Sequence, residues 1–362
     1  MSLPNHGANP HLLYEQLSIE KPGQIIDFSE NVNPAGPPEF IRGNWDDLQH
    51  LVARYPDPQG QPFLSAVAKY HGVRVNQVLL GNGAAEIFSL LASMFQKKRA
   101  ILIHPTFSEY EATLSANDVE IIHLEVEDIA TWKLPINQII KEMQQADVLY
   151  LCTPNNPTGV LPPKEQLLLL ITEGKKANCH IVLDEAFIDW IDEEATMIPY
   201  LEDNPHVMIV RSMTKMYAIA GVRLGYMIAS PSIIENLERK TSHWHINGLA
   251  AVIGAGCLKE NEYRDQAIRF AQKSREEFTA FLQQLGCKTT KSVTNYVSFQ
   301  LPLPQHSKEF FHAMLKKGFV LRHTENFRGM NGEWFRVGMK KEQAMKALQK
   351  EMTSWLKHSS SL

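Results

Sequence analysis

The sequence has few cysteines, no long apolar run and no long basic run. Its cysteines, Cys152, Cys179, Cys257 and Cys287, are widely scattered, and none forms a Cys-x-x-Cys pair. This spacing argues against a disulfide framework or a zinc site and favours a reducing compartment. The longest aliphatic run, residues 167–171, is far too short to cross a bilayer, and the first residues lack the pattern of a secretion signal. We therefore expect a cytoplasmic protein that does not enter a membrane.

The charge balance excludes other classes of partner. The net charge is −4, the isoelectric point is about 6.4, and no basic cluster is present, so we expect neither nucleic acid nor an anionic membrane surface as a partner. With 362 residues, of which 44% are hydrophobic, the chain can bury a large core in one large and one smaller domain. Small molecules are the expected ligands.

Several short apolar runs are each followed by a cluster of polar or aromatic residues. Helix-length segments separate most of them, a pattern typical of a mostly parallel sheet flanked by helices. In such sheets, ligands bind outside the carboxyl ends of the strands. The runs lie at residues 100–103, 148–152, 181–183 and 207–210, and the clusters after them contain Phe107, Asn156, Asp184 and Lys215.

A glycine turn, GNGAAE at residues 81–86, follows another apolar run at 78–80 and precedes a stretch with helical spacing. The free backbone N–H groups and the positive dipole at such a helix start can hold a phosphate. The glycine pair alone is a weak signal, since a plain tight turn is equally compatible with it.

The composition changes along the chain and predicts three parts. Residues 1–44 are dense in Pro, Gly and Asn, which favours an extended, turn-rich arm over a packed helix. Residues 45–248 form the predicted large domain. Residues 249–362 read as a smaller α+β domain, with strands at 296–301, 319–322 and 334–337, and they supply the cationic set Arg322, Arg328 and Arg336.

Lys215 lies just past the apolar run 207–210, between two hydroxyls and an arginine. Ser212, Thr214 and Arg223 suit a phosphate, and a lysine in an apolar setting can act as a nucleophilic amine. Taken alone, a lysine after a strand is more often a solvated charge. Ser212-x-x-Lys215 also matches the penicillin-binding acyl enzymes, but the Ser-Asp-Asn and Lys-Thr-Gly partners that they require are missing.

In order and spacing these motifs resemble the fold type I pyridoxal-phosphate enzymes of the aspartate aminotransferase superfamily, over nearly the whole chain. The most specific set comprises NNPTG at 155–159, DEAF at 184–187 and SMTKxxxxxGxRLG at 212–225. The resemblance implies an α/β fold with a mostly parallel sheet, pyridoxal 5'-phosphate as cofactor, and a homodimer with shared active sites.

The resemblance also implies a role for each motif residue. Lys215 would form the internal Schiff base, and Asp184 would keep the pyridine nitrogen protonated. Phe107 would stack on the cofactor ring, Asn156 would bond its O3′ oxygen, and Tyr55 would reach the phosphate of the neighbouring subunit's cofactor. The residues implied to hold the cofactor phosphate are Ser212, Thr214, Arg223 and the turn Gly83, Ala84 and Ala85.

One residue departs from the pattern of many aminotransferases in this superfamily. They carry a tyrosine that also bonds O3′, where this chain has Phe187. One hydrogen bond to that oxygen is therefore missing. The change is compatible with a different reaction path and equally with a neutral substitution.

Two subfamilies match the chain. Histidinol-phosphate aminotransferases share RYP at 54–56, NNPTG and the pair Arg322 and Arg336. Threonine-phosphate decarboxylases of the cobalamin pathway share these too, and in addition resemble HGAN at 6–9, DFSENVNP at 27–34 and DEAFIDW at 184–190. The arm favours the decarboxylases, and it implies that His6 and Asn31 join Arg322 and Arg336 in binding a small phosphorylated substrate.

Other interpretations are weaker. A regulator that keeps the fold without the chemistry is disfavoured, because both Lys215 and Asp184 are present. His243-Trp244-His245 has alternate spacing that is compatible with a metal, but no carboxylate or cysteine is placed to complete a site, so we expect a structural role and no metal.

Overall fold

The computed structural model describes residues 3–4 and 6–359. Strands and helices alternate over most of the chain. The strands are β1 (Ile26–Asp27), β2 (Val78–Gly81), β3 (Arg99–His104), β4 (Glu120–Glu125), β5 (Val148–Cys152), β6 (His180–Asp184), β7 (Val207–Ser212), β8 (Gly225–Ile228), β9 (Lys288–Thr289), β10 (Tyr296–Gln300), β11 (Phe319–Val320), β12 (Arg322–His323) and β13 (Trp334–Gly338).

The helices lie between these strands and at both ends of the chain. They are α1 (Pro10–Leu17), α2 (Glu39–Gly43), α3 (Trp45–Gln49), α4 (Phe63–His71), α5 (Ala84–Met94), α6 (Ser108–Ala116), α7 (Ile136–Met143), α8 (Lys164–Ala177), α9 (Pro231–Glu238), α10 (Gly248–Cys257), α11 (Asn261–Gln284), α12 (Ser307–Lys316) and α13 (Glu342–Ser359). Within the described residues, no helix is both long enough and apolar enough to cross a membrane.

In the described part of the chain, the largest sheet has seven strands in the order β2-β8-β7-β6-β5-β3-β4. Strand β8 runs antiparallel to β2 and β7, and the other neighbouring pairs are parallel. The predicted α/β fold with a mostly parallel sheet is confirmed. The carboxyl ends of β5, β6 and β7 lie side by side, which brings together the polar clusters that follow them.

The central strands are buried on both faces. Along β3, Ile101 and Ile103 belong to the apolar cluster on one side of the sheet, while Ala100 and Leu102 belong to the cluster on the other. Successive side chains of a strand point to opposite faces, so a sheet covered by helices on both sides needs continuous apolar runs rather than alternation. This is why the continuous apolar runs in the sequence predict these strands.

A second, antiparallel sheet has the order β12-β13-β10-β9 and packs around a third apolar cluster. The strand predicted at residues 319–322 is in fact two strands, because the chain changes partners at Leu321. Strand β11 pairs with β1, whereas β12 pairs with β13. The break allows Arg322 to sit opposite Arg336 in the sheet register.

The expectation of an arm without packed helix is wrong in one respect, because residues 1–44 contain α1 and α2. Pro10 occupies the first turn of α1, where a missing N–H costs nothing. Leu13 and Tyr14 are buried in the third cluster, and the Tyr14 hydroxyl donates to the Leu315 carbonyl at 2.8 Å. Tertiary burial therefore stabilises a helix that the turn-rich composition conceals.

Candidate active site

A cavity of about 480 Å³ opens at the carboxyl ends of the central strands. It collects residues from the glycine turn, the strand ends, the second sheet and the arm. The predicted site residues that line it are His6, Asn31, Ala84, Ala85, Phe107, Asn156, Asp184, Ser212, Thr214, Lys215, Arg223, Arg322 and Arg336. Gly83 and Tyr55 do not line it.

Lys215 is held by the hydroxyls that the sequence pattern singled out. Its Nζ atom donates to the Ser212 Oγ at 2.9 Å, and Ser212 shares a hydrogen bond of 2.8 Å with Thr214. Burial lowers the pKa of the Lys215 amine, the Arg223 charge lowers it further, and the Asp184 carboxylate opposes both. A buried amine with a lowered pKa is available as a nucleophile closer to neutral pH than an exposed lysine.

Asp184 is fully enclosed at the end of β6. Its Oδ1 accepts from the Ala186 N–H at 2.9 Å, and its Oδ2 accepts from the Tyr110 hydroxyl. Burial raises the pKa of this carboxyl, while the Tyr110 hydrogen bond and the Lys215 charge lower it. These two hydrogen bonds fix the orientation of a carboxylate that lines the cavity.

The start of α5 forms a cradle beside Arg223. Gly83 has φ of +79°, and a Cβ atom there would collide with the Arg223 guanidinium. A Cβ at Gly225 would lie 2.7 Å from the Ala84 backbone nitrogen. Both glycines therefore permit a close approach of backbone and guanidinium, and the N–H groups of Ala84 and Ala85 are left at a helix start where an anion is stabilised.

Two arginines of the second sheet line the same cavity as the lysine. Arg336 donates to the Asn156 Oδ1 and, at 2.7 Å, to the Ser29 carbonyl, while its Nε is buried without a hydrogen bond to any described residue. Arg322 donates to the Asn326 Oδ1 at 2.7 Å. Burial lowers the pKa of Arg336 to about 10 and, together with the Arg336 charge, that of Arg322 to about 9. An anion that binds beside these two buried positive charges is therefore strongly stabilised.

Phe187 lies against the lysine and against a buried tyrosine. The Lys215 Nζ is 5.4 Å from the centre of the Phe187 ring, which packs edge-on against Tyr296 with ring centres 5.0 Å apart. The Tyr296 hydroxyl donates to the Asn155 carbonyl at 2.8 Å. Phe187 thus offers no hydrogen-bond donor to the cavity, and its ring packs against an aromatic neighbour in an apolar environment.

The arm closes one side of the cavity. The His6 ring centre lies 5.9 Å from that of Phe107, and its Nε2 is 3.4 Å from the Glu109 carboxylate. The Asn31 Oδ1 is buried without a hydrogen bond to any described residue. The arm therefore contributes His6 and Asn31 to the lining of the cavity that also contains the arginines.

Tyr55 lies elsewhere, 84% exposed, with its ring centre 5.0 Å from that of Trp244. It belongs to a surface patch rather than to the cavity of this chain. Arg328, the third member of the cationic set, does not line the cavity.

Sequence reasoning missed Tyr110, Ser29 and Glu109. Tyr110 was recognisable in principle, because it lies three residues after Phe107 and hence on the same face of a helix that starts at the strand end. Ser29 binds Arg336 through its backbone carbonyl, while its side-chain Oγ accepts from the Ala8 N–H at 3.0 Å. A backbone contact of this kind leaves no trace in residue type.

The chain belongs to the aminotransferase class I and II family, whose model matches residues 23–350. It is 32% identical over 337 residues to the threonine-phosphate decarboxylase of Salmonella typhimurium, covering 92% of both chains. It is 33% identical over 328 residues to a histidinol-phosphate aminotransferase of Desulfitobacterium hafniense, covering 86% of both. Among solved structures, it resembles the histidinol-phosphate aminotransferase from Clostridium acetobutylicum, with TM-score 0.86, 25% identity and 91% and 99% coverage.

Membership in this family makes pyridoxal 5'-phosphate the cofactor of the chain. The cavity fits this group on three points of its own chemistry. It has a buried amine at Lys215, a buried carboxylate at Asp184, and an anion cradle at the start of α5 beside Arg223. An aldehyde, a pyridine nitrogen and a phosphate are the matching groups.

Proposed function

We propose that the chain catalyses decarboxylation of L-threonine O-3-phosphate to (R)-1-amino-2-propanol O-2-phosphate and CO2, as a step of cobalamin biosynthesis. The observation that carries the proposal is the arm, which adds His6 and Asn31 to the cavity that contains the buried arginines Arg322 and Arg336. Such a site suits a small substrate with two anionic groups. Relatives of both activities have similar identity, so the site and not the identity favours the decarboxylase.

The residues proposed to hold the cofactor are those around Lys215. Ser212, Thr214, Arg223 and the N–H groups of Ala84 and Ala85 bind its phosphate, and Asp184 keeps its pyridine nitrogen protonated. Phe107 covers the ring and Asn156 bonds O3′. When bound, the cofactor supplies an electron sink for the substrate bond that breaks.

The substrate anchors decide which bond breaks. A decarboxylase must present the carboxylate of the substrate carbon for cleavage, so residues of the chain would have to fix the anionic groups of the substrate. In our proposal Arg322 and Arg336 bind the phosphate and carboxylate between them, with His6 and Asn31 closing over these groups. Binding energy from a distant, unreactive phosphate can be used for this orientation.

Lys215 also completes the reaction. When the substrate carbon loses its carboxyl group as CO2, a proton has to take the place of that group. The Lys215 Nζ, with its lowered pKa and its contact to Ser212, is placed to exchange that proton. The enclosing arm limits the access of water.

The alternative is a histidinol-phosphate or aromatic amino acid aminotransferase, in which a proton and not the carboxylate leaves the substrate carbon. The relative from Desulfitobacterium hafniense favours it. Phe187, packed among rings, and the arm with His6 favour the decarboxylase.

The test uses the tag-free holoenzyme with L-threonine O-phosphate and, separately, with histidinol phosphate and 2-oxoglutarate. We expect CO2 and amine in equal amounts from the first, and no glutamate from the second. Threonine without its phosphate should react at least about a hundredfold less efficiently, because the anchor is missing. Glutamate formation from histidinol phosphate without CO2 release from threonine phosphate would reject the decarboxylase. Lys215→Ala is the inactive control for both assays.

We also propose a three-part organisation and a setting for the chain. The parts are an arm of residues 1–44, a large cofactor-binding domain of residues 45–248 and a small domain of residues 249–362, assembled as a homodimer. The cysteines Cys152, Cys179, Cys257 and Cys287 are free and buried, which favours a reducing, cytoplasmic compartment.

A further inference from the structure

A group of metal-ligating side chains lies outside the candidate active site, at the edge of the large sheet. His104 ends β3, His123 lies on the edge strand β4, and Glu111 lies on α6. One ligand atom from each lies within 4.8 Å of the other two. His104 is buried, whereas His123 and Glu111 are partly exposed, so an ion can enter from solvent.

The strand register explains why the two histidines meet. Leu102 pairs with His123, and His104 pairs with Glu125. His104 and His123 are therefore diagonal neighbours on one face of the sheet, at a separation that long side chains span. Leu102 belongs to the cluster that contains Tyr110 and Leu114, so this is the face that α6 covers. Glu111 reaches the pair from the first turns of that helix.

The geometry is close to that of a metal site. The His104 Nε2 and His123 Nδ1 are 2.9 Å apart. Two nitrogens bound to one tetrahedral zinc ion, each at about 2.0–2.1 Å, lie about 3.3 Å apart. The two nitrogens therefore need to move apart by only a few tenths of an ångström to bind one ion. The hydrogen bond between the rings explains why the two histidines are in contact. It does not explain the position of Glu111, whose carboxylate has no hydrogen bond or ion pair to another described residue.

One cationic side chain acts on both rings. The Arg328 guanidinium repels positive charge at His104 and at His123. Arg328 is the charge that opposes a cation here, and the Glu111 carboxylate offsets it.

We propose that His104, His123 and Glu111 bind a divalent transition-metal ion such as zinc, with water at the fourth position. Two nitrogens and one carboxylate are a known ligand set for zinc. The ion ties β3, β4 and α6 together. The loop between β3 and α6 carries Phe107, and α6 carries Tyr110, which bonds Asp184. The ion thus stabilises the elements that carry one side of the cavity.

The test measures zinc binding by tag-free holoenzyme in competition with a chromophoric chelator, and cobalt binding by its visible absorption. We expect one ion per chain. His123→Ala and Glu111→Gln should each weaken binding by at least about tenfold. His243→Ala, which removes an exposed histidine of the His-Trp-His stretch, is the matched control and should leave binding unchanged. Arg328→Gln should strengthen binding, because it removes the opposing charge.

Several results would overturn the proposal. One is the lack of stoichiometric zinc binding by the wild-type chain. Another is binding that His123→Ala and Glu111→Gln leave intact, since the ion then lies elsewhere. Circular dichroism of each variant establishes that it is folded. The measurement does not depend on which reaction the enzyme catalyses, so it stands apart from the test of the proposed function.

Discussion

At the scale of single residues, Tyr110 offers a test of how Asp184 is held. The Tyr110 hydroxyl donates to the Asp184 Oδ2, and this contact lowers the pKa of the carboxyl against the effect of burial. In Tyr110→Phe the pKa of Asp184 should rise, so protonation removes the carboxylate at higher pH. A hydrogen bond to a charged group contributes about 1.5–3 kcal/mol, or about ten- to hundredfold. We expect a loss of cofactor affinity in that range and an acid limb of kcat/KM shifted to higher pH.

Tyr150 provides the matched control. Its ring lies beside that of Tyr110, with centres 5.6 Å apart, and its buried hydroxyl has no hydrogen bond to a described residue. Tyr150→Phe should therefore leave cofactor affinity and the pH profile unchanged. Equal effects of both substitutions would mean that Tyr110 acts through packing and not through its hydrogen bond.

Gly83 is a second residue with a separable role. Gly83→Ala adds a Cβ at φ of +79° and forces the Arg223 guanidinium to move. We expect destabilisation of about 1–3 kcal/mol from the backbone and a loss of cofactor affinity of about tenfold or more from the displaced arginine. Equilibrium dialysis and chemical denaturation measure the two effects separately.

Gly72→Ala controls for backbone strain alone. Gly72 has φ of +65°, and nothing lies within 4 Å of an added Cβ. This variant should lose stability while its cofactor affinity stays at the wild-type level. If Gly72→Ala loses as much affinity as Gly83→Ala, the contact with Arg223 is not what matters.

At this scale most cavity residues could be predicted because the motifs that contain them resemble those of a known family, and because their types suit a phosphate, an aldehyde and a ring. The sequence did not reveal Tyr110, whose role depends on a hydroxyl reaching across from α6, or the contact of Arg336 with the Ser29 carbonyl. It also gave no sign of the cluster of His104, Glu111 and His123, because only the register of β3 and β4 brings these residues together. Side-chain type is visible in a sequence, whereas long-range proximity is not.

At the scale of elements, a buried charge network joins β7 to the segment that follows β6. Arg211 on β7 is 1% exposed and contacts Glu185 at 2.9 Å, Asp189 at 2.9 Å and Glu193 at 3.2 Å. Glu185 also accepts from the Thr196 hydroxyl at 2.7 Å. Since β7 leads to Lys215 and β6 ends at Asp184, the network fixes the two strand ends relative to each other.

We therefore predict that Arg211→Leu is strongly destabilising. Removal of one partner from a buried ion pair costs about 3–5 kcal/mol, because the carboxylates are left buried and uncompensated. Urea denaturation, which gives the free energy of unfolding, measures this loss of stability. Arg239→Leu is the control, since Arg239 forms an exposed pair with Glu235 and should change stability by less than about 0.5 kcal/mol.

The loss in Arg211→Leu should depend on pH. Burial raises the pKa of Asp189 to about 6 although Arg211 lowers it, so removing Arg211 raises that pKa further. In the unfolded chain the carboxyl titrates near about 3.9. Between these values the folded state binds a proton that the unfolded state does not, so the free energy of unfolding increases as the pH falls. Since the wild-type Asp189 is itself protonated below about pH 6, the deficit of the variant should shrink from pH 8 to about pH 6. A constant deficit would argue against unpaired carboxylates.

Strands and helices could be predicted from the sequence where the residues of one face, or of both faces, follow a simple apolar pattern. The buried strands β3, β5, β6 and β7 lie where continuous apolar runs placed them. The break at Leu321 and helix α1 were not predictable, because each depends on a partner far along the chain: β1 for β11, and α12 for the Tyr14 hydroxyl. Local composition cannot report a distant partner.

At the scale of the whole molecule, an exposed apolar patch is consistent with the proposed homodimer. Val52 is 73% exposed, Tyr55 84% and Trp244 48%, and these three residues lie together on the surface. Large exposed aromatic groups of this kind mark interaction sites more often than free surface. In a symmetric dimer one patch meets its own copy, and we propose that Tyr55 reaches the cofactor site of the partner subunit in this dimer.

Mixing two inactive variants tests this shared site. Lys215→Ala removes the cofactor lysine, and Tyr55→Ala removes the residue proposed to serve the other subunit. A hybrid dimer of the two has one site with both defects and one site with neither. After unfolding and joint refolding of equal amounts, half of the dimers are hybrids, so about a quarter of wild-type activity should return. Sedimentation should show a dimer throughout, and an active monomer, or a mixture as inactive as its parents, would reject the exchange of Tyr55 between subunits.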